Sequence, residues 1–168
     1  MAKKTNRTPK ELSREMRGKL LGIFKDKTIW NMVGRESVGM IRANLAKGQG
    51  VDGKLGPVKK FKQVTKDYAE HRNPSSSLAP KKGKKGNKTR KSRLIHSGKM
   101  FRDMTWKALN FSAKLKFRTE ESAKIAQYHD KDGAGKSKIL RPFFNLSKAQ
   151  FNLIQREMKK FIDKNLKK

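Results

Sequence analysis

The sequence predicts an α+β domain: amphipathic helices packed on a small antiparallel sheet, with a long basic loop. Apolar residues recur at helical spacing near both ends of the chain, and a central stretch alternates with the period of two of a half-buried strand. One internal segment carries almost no apolar side chain. At 168 residues the chain suits one domain. We divide it into a basic arm and short helix over 1–25 and a single α+β domain over 26–168, carrying the basic loop 73–93.

The first helix announces its start. Thr8 is a capping residue, Pro9 fits the first helical position, and Glu11 stands where a capping box needs it. Leu12, Met16, Leu20 and Ile23 follow at helical spacing, weakened by Gly18 and Gly22. A second helix is expected over 28–47, with Ile29, Val33, Met40, Ile41 and Leu45 on one face and Gly48 as its stop. Gly34 and Gly39 each cost up to about 1 kcal/mol against Ala inside a helix, which implies a neighbour packed closely there. Residues 50–54 read as a tight turn, extended by Gly56-Pro57. A short helix is expected over 64–71.

Order is expected to return at Leu94 in a short helical or turn element running to Phe101. Residues 104–109 and 111–117 read as two antiparallel strands joined near Asn110, the second alternating as Phe111, Ala113, Leu115, Phe117. A short helix starts at Thr119 and reaches Tyr128, and 130–138 reads as a loop. Residues 139–144 read as an edge strand, because Pro142 cannot donate to a ladder. Ser147 and Gln150 form a capping box for a terminal helix, whose stripe is Phe151, Ile154, Met158, Phe161, Ile162 and Leu166.

Charge narrows the function classes. Lys and Arg number 44 against 14 Asp and Glu, a formal +30. Such an excess repels itself and is tolerable only with mixed solvation or an anionic partner: nucleic acid, an acidic protein surface or an anionic membrane. No apolar run approaches the ~20 residues that span a bilayer, and no apolar region follows the basic residues of 1–10 as a secretory signal requires. No membrane partner is expected. The absence of cysteine removes disulfides, thiolate zinc sites and cysteine nucleophiles, and fits a protein made in a reducing cytosol.

Motifs that suggest chemistry fail on inspection. Gly133 to Ser137 resembles part of a phosphate-binding loop, but the glycine needed five positions before Gly135 is Asp130. Asp130, Asp132 and Gly133 resemble the opening of a calcium loop, whose bidentate glutamate would fall on Arg141, a cation. His71, His96 and His129 show no metal-ligand spacing. His129 adjoins Asp130, but adjacent side chains seldom face each other productively. No catalytic residue, cofactor or metal is expected, and we read the chain as non-enzymatic.

The strongest chemical signal is the basic arm, with Lys81, Lys82, Lys84, Lys85, Lys88, Arg90, Lys91 and Arg93. No acid stands between Glu70 and Asp103. Lysines of this kind neutralise phosphates as point charges without reading bases; the competing reading is a solvated loop that merely keeps the particle soluble. It lacks interleaved aromatics for stacking on single strands.

From about residue 26 to 166 the chain resembles the bacteriophage virion-morphogenesis or tail-completion family. The resemblance lies in an ordered series: Leu94, Ser97, Gly98 and Met100; the strand pair over 104–117; Ala126, Tyr128 and His129; Arg141, Pro142 and Phe143; then the terminal helix. Further forward, the helix ending near Gly48, the Asp52-Gly53 turn and Thr65 ahead of basic residues fit the same order. The chain departs from the family after His129, where Lys131 and Asp132-Gly133 stand in place of an aromatic–glycine pair. The resemblance implies a structural subunit of the head–tail junction, neck or tail terminus, made in the host cytoplasm and located in the virion. It implies other phage neck or tail proteins as partners and a homo-oligomeric ring, with a hexamer favoured. Arg141, Pro142, Phe143 and the terminal stripe would carry structure, while the basic arm engages an acidic ring or DNA in the channel. The rival reading is a basic nucleic-acid-binding protein, ribosomal or nucleoid-like, in which charge is the whole function.

Overall fold

The structure, a computed structural model, describes residues 8–61, 99–133 and 140–167. The expected helix over 64–71 and the basic loop 73–93 lie outside the described residues, as do residues 94–98. Helix α1 (Pro9–Lys25) opens on the expected capping box. The Thr8 hydroxyl accepts the Glu11 N–H at 3.3 Å, and the Glu11 carboxylate accepts the Thr8 N–H at 2.9 Å. Asp26 then ends one helix and starts the next. Its extended backbone breaks the α-helical path, and its carboxylate accepts the Thr28 N–H at 2.8 Å, capping α2 (Lys27–Ala46).

Helix α2 is the spine of the core. Gly34, Val38, Ile41 and Leu45 are buried at alternating spacings of four and three, which is one face of a helix. Val33 and Met40, expected on that face, are half-buried flanks. Gly34 meets the close neighbour its cost implies: a Cβ there would stand 2.3 Å from the Trp106 Cγ and Cδ1 atoms. Gly39 does not, with nothing within 4 Å of its missing Cβ.

Past α2, the expected irregular stretch contains a short hairpin, β1 (Gln49–Val51) with β2 (Val58–Lys60). Helix α3 (Lys99–Asp103) leads directly into β3 (Met104–Leu109), which pairs antiparallel with β4 (Ser112–Phe117). Two separate two-stranded sheets therefore stand where a single small sheet was expected. The β3–β4 register puts Met104, Trp106 and Ala108 opposite Phe117, Leu115 and Ala113. Thr105, Lys107 and Leu109 pair with Lys116, Lys114 and Ser112, and alternation places these on the other face. Val38, Ile41 and Leu45 of α2 join Met100, Met104, Ala126 and Phe143 in one apolar cluster.

Helix α4 (Glu120–Gln127), capped by Thr119, continues into a π-helical turn (Tyr128–Asp132) that ends at Gly133 with φ 78°. That turn occupies the start of the expected loop. The edge strand expected over 139–144 is corrected: residues 140–144 form no strand. The N–H groups of Arg141, Phe143 and Phe144 are taken by the π-helical turn, as described below. Helix α5 (Lys148–Leu166) starts on its predicted capping box, with Ser147 and Gln150 exchanging bonds of 3.3 and 3.0 Å.

The terminal stripe is corrected too. Ile154 is buried, Met158, Phe161, Ile162 and Leu166 are half-buried, and Phe151 is 39% exposed. Helix α5 lies against α2 and against α1. The latter buries none of its own residues, so the cover it offers is thin.

Opposite signs are expected from two like substitutions in α2. Gly34→Ala should destabilise by about 1–3 kcal/mol, because overpacking against Trp106 outweighs the gain in helix propensity. Gly39→Ala should stabilise by about 0.4–1 kcal/mol. Denaturant midpoints of the two variants check this, and a shared sign would mean that α2 is not seated on Trp106.

Candidate functional site

Two of the motif elements meet. The His129 carbonyl accepts the Arg141 N–H at 2.7 Å. One oxygen of the Asp130 carboxylate accepts the Phe143 and Phe144 N–H groups at 2.9 and 3.3 Å. Pro142, between them, has no N–H to satisfy. The π-helical turn thus consumes every backbone donor from Arg141 to Phe144, which is why no edge strand forms. Phe143 is delivered to the core at 1% exposure, with Phe144 edge-on to it and stacked at 5.2 Å on Phe117 of β4. On the other side the Pro142 carbonyl packs on Gly50 so closely that a Cβ there would stand 1.9 Å away.

Of the residues singled out in the sequence, Met100 and Phe143 share the core cluster, and Arg141 is buried beside the turn. Tyr128 starts the turn but is 56% exposed, a surface residue. Ser97 and Gly98 lie outside the described residues, as do Lys81, Lys82, Lys84, Lys85, Lys88, Arg90, Lys91 and Arg93. His129 is half-buried, and its Nδ1 is shielded with no hydrogen-bond partner among the described residues. Burial first, and then the Arg141 charge, lowers its pKa, so the ring is neutral at neutral pH.

Polar residues that the sequence did not single out hold this frame. Arg42 of α2 donates to the carbonyls of Phe101, Arg102 and Met104 at 3.1, 3.2 and 2.7 Å, and its guanidinium stands 5.5 Å from the Phe101 ring centre. Asp103 accepts the hydroxyls of Thr119 and the buried Ser122, each at 2.6 Å. Those bonds, Ser122's first, hold the Asp103 carboxyl below its usual range. Asp130 was visible only in a failed calcium pattern and beside His129. Nothing in the spacing of Arg42 or Asp103 marks them.

The rest of the described surface is cationic. Ion pairs such as Lys59 with Asp52, Lys124 with Glu120 and Lys160 with Glu157 are exposed and contribute little each. Lys99 also pairs with Glu121. Lys107, Lys114 and Lys116 are exposed on the outer face of the β3–β4 ribbon, with no ion pair among the described residues. Among those residues no three His, Asp or Glu side chains gather as a metal site, and no helix is long and apolar enough to cross a membrane.

No protein family, curated protein or solved structure matches the chain.

Asp130→Ala should cost about 1–3 kcal/mol, because two N–H groups beside the core lose their acceptor. Equilibrium denaturation checks it, and an unchanged midpoint would show that Asp130 does not anchor the Phe143 segment.

Stability should also fall with acid in two steps. His129 has a lowered pKa, so its contribution is present above about pH 6.5 and declines as pH falls below that. Asp103, Glu11 and Asp26 are lowered from carboxylate values, so theirs is present above about pH 4 and is lost as pH falls through the lowered values. In melting temperatures against pH, His129→Gln should flatten the first step and Asp103→Asn should reduce the second.

Proposed function

We propose that the chain is a non-catalytic structural subunit of a bacteriophage head–tail junction or tail terminus, joining a ring with other neck or tail proteins during virion morphogenesis. The observation that carries this reading is the junction of Tyr128–His129 with Arg141–Pro142–Phe143. These are positions of the resemblance series, and in this chain Asp130 holds the second element to the first. A segment fixed at one end by Phe143 in the core and followed by a capped helix is a rigid base from which to build a protomer. The partly covered apolar stripes of α1 and α5 suit burial against neighbouring subunits: Leu12, Met16 and Phe151 are exposed.

Charge shapes how such a ring forms. Protomers of net charge +30 repel one another over roughly a Debye length, ~10 Å at 0.1 M salt. Assembly is therefore templated by an acidic partner ring or by DNA, either of which the arm over 73–93 would engage. The second reading, a ribosomal or nucleoid-like nucleic-acid-binding protein, is favoured by the excess of cations alone.

Deleting residues 75–91 from the full chain tests the two together. The variant should fold with a native-like melting curve yet leave fewer head–tail joined, infectious particles, counted by electron microscopy and plating. Normal particle yield would reduce the arm to a solubilising loop. Tight duplex binding by the isolated monomer, with no phage partner recruited, would favour the second reading. ATP hydrolysis abolished by Lys136→Ala would overturn the non-catalytic assignment.

A further inference from the structure

The geometry points to the outer face of the β3–β4 ribbon as a docking surface for the sugar–phosphate backbone of duplex DNA, separate from the basic arm and independent of the phage reading. The pairing register sets Lys107 directly opposite Lys114 and Thr105 opposite Lys116, with Leu109 opposite Ser112 at the tip. Like charges directly opposite destabilise a strand pair, so this arrangement costs the free hairpin stability. All three lysines are exposed, and the face carries no carboxylate. Lys114 and Lys116 lie two residues apart on one strand, about 6.7 Å, with Lys107 about 5 Å across from the first. The backbone under them is held firmly: Trp106 on the opposite face is wedged against Gly34, and Arg42 grips the carbonyl where β3 begins.

The composition of the face selects its partner. Protein interfaces are depleted in lysine and carry aromatic or arginine anchors at their centre, and this face has neither. Stacking along a single strand needs a row of exposed aromatic rings, whereas Trp106 and Phe117 belong to the inner row and Phe111 stands alone at the tip. Lysine ammonium groups flanked by the hydroxyls of Thr105 and Ser112 are the donors that hold phosphate oxygens. A two-stranded ribbon also has the dimensions of a B-DNA major groove.

The test uses the full chain and a short mixed-sequence DNA duplex, with affinity followed by fluorescence anisotropy across a salt series. A triple substitution, Lys107→Gln, Lys114→Gln and Lys116→Gln, is compared with an equally charged control on other elements, Lys10→Gln, Lys148→Gln and Lys159→Gln. At about 0.9 per phosphate contact, the ribbon variant should lower the slope of log affinity against log salt by about 2.7, and the control by much less. The ribbon variant should melt no lower than the parent, since a repulsive pair is removed, and the corresponding Lys→Arg variant should keep the parent's slope. Equal losses in ribbon and control variants would assign binding to diffuse charge and overturn the inference, as would an unchanged slope in the ribbon variant. An unchanged DNA slope with weakened binding to polyglutamate would overturn it in favour of an acidic protein partner.

Discussion

Helix α2 can sit on the β3–β4 ribbon only because one side chain is missing. With hydrogen at Gly34, the Trp106 indole reaches the helix backbone, and the rest of the α2 face follows from that depth of approach. Val38, Ile41 and Leu45 then reach Met100 and Met104, and Arg42 comes within hydrogen-bonding distance of three carbonyls at the α3–β3 corner. The core formed by the described residues is small, so the position of each of these residues counts for more than it would in a larger interior.

The few acids are used with economy. Glu11, Asp26, Asp103 and Asp130 accept from backbone N–H groups or hydroxyls and fix helix starts, a corner and the Phe143 segment. These carboxylates keep their charge, and others pair with lysines at the surface, as Asp52, Glu120, Glu121 and Glu157 do, but 14 acids cannot balance 44 cations. The fold therefore forms with most of its positive charge uncancelled, and its surface stays open to anionic partners. Both functional readings draw on that same property.

Much of this was legible in the sequence because it is local. Both capping boxes, the α2 span and the β3–β4 hairpin depend on residues within a few positions of one another, and spacing reports them. The hairpin turn is a partial exception: Phe111 takes φ 65°, a conformation that favours glycine. What the sequence did not show is set by distant partners. No edge strand forms over 140–144, where Asp130 and the His129 carbonyl, more than ten residues earlier in sequence, take the N–H groups of Arg141, Phe143 and Phe144. The terminal stripe was read as buried because periodicity reports which residues share a face and is silent about how much of that face a neighbour covers. Gly34 and Gly39 looked alike in sequence, and only the location of Trp106 separates them. The cationic face of the ribbon lies in the same alternation, in the lysines that stand between the inward residues.

One joint carries a mechanical consequence. Asp26 separates two long helices by a single extended residue, and the Phe24 carbonyl beside it accepts both the Trp30 indole N–H at 2.7 Å and the Phe111 N–H at 3.2 Å. The end of α1 is thereby riveted to the start of α2 and to the tip of the ribbon. With none of its residues buried, α1 acts as a lever arm whose fulcrum is that carbonyl. A pull on α1 is shared between those two bonds, its packing on α5 and the chain through Asp26 into α2, so the hairpin tip and the core feel it together.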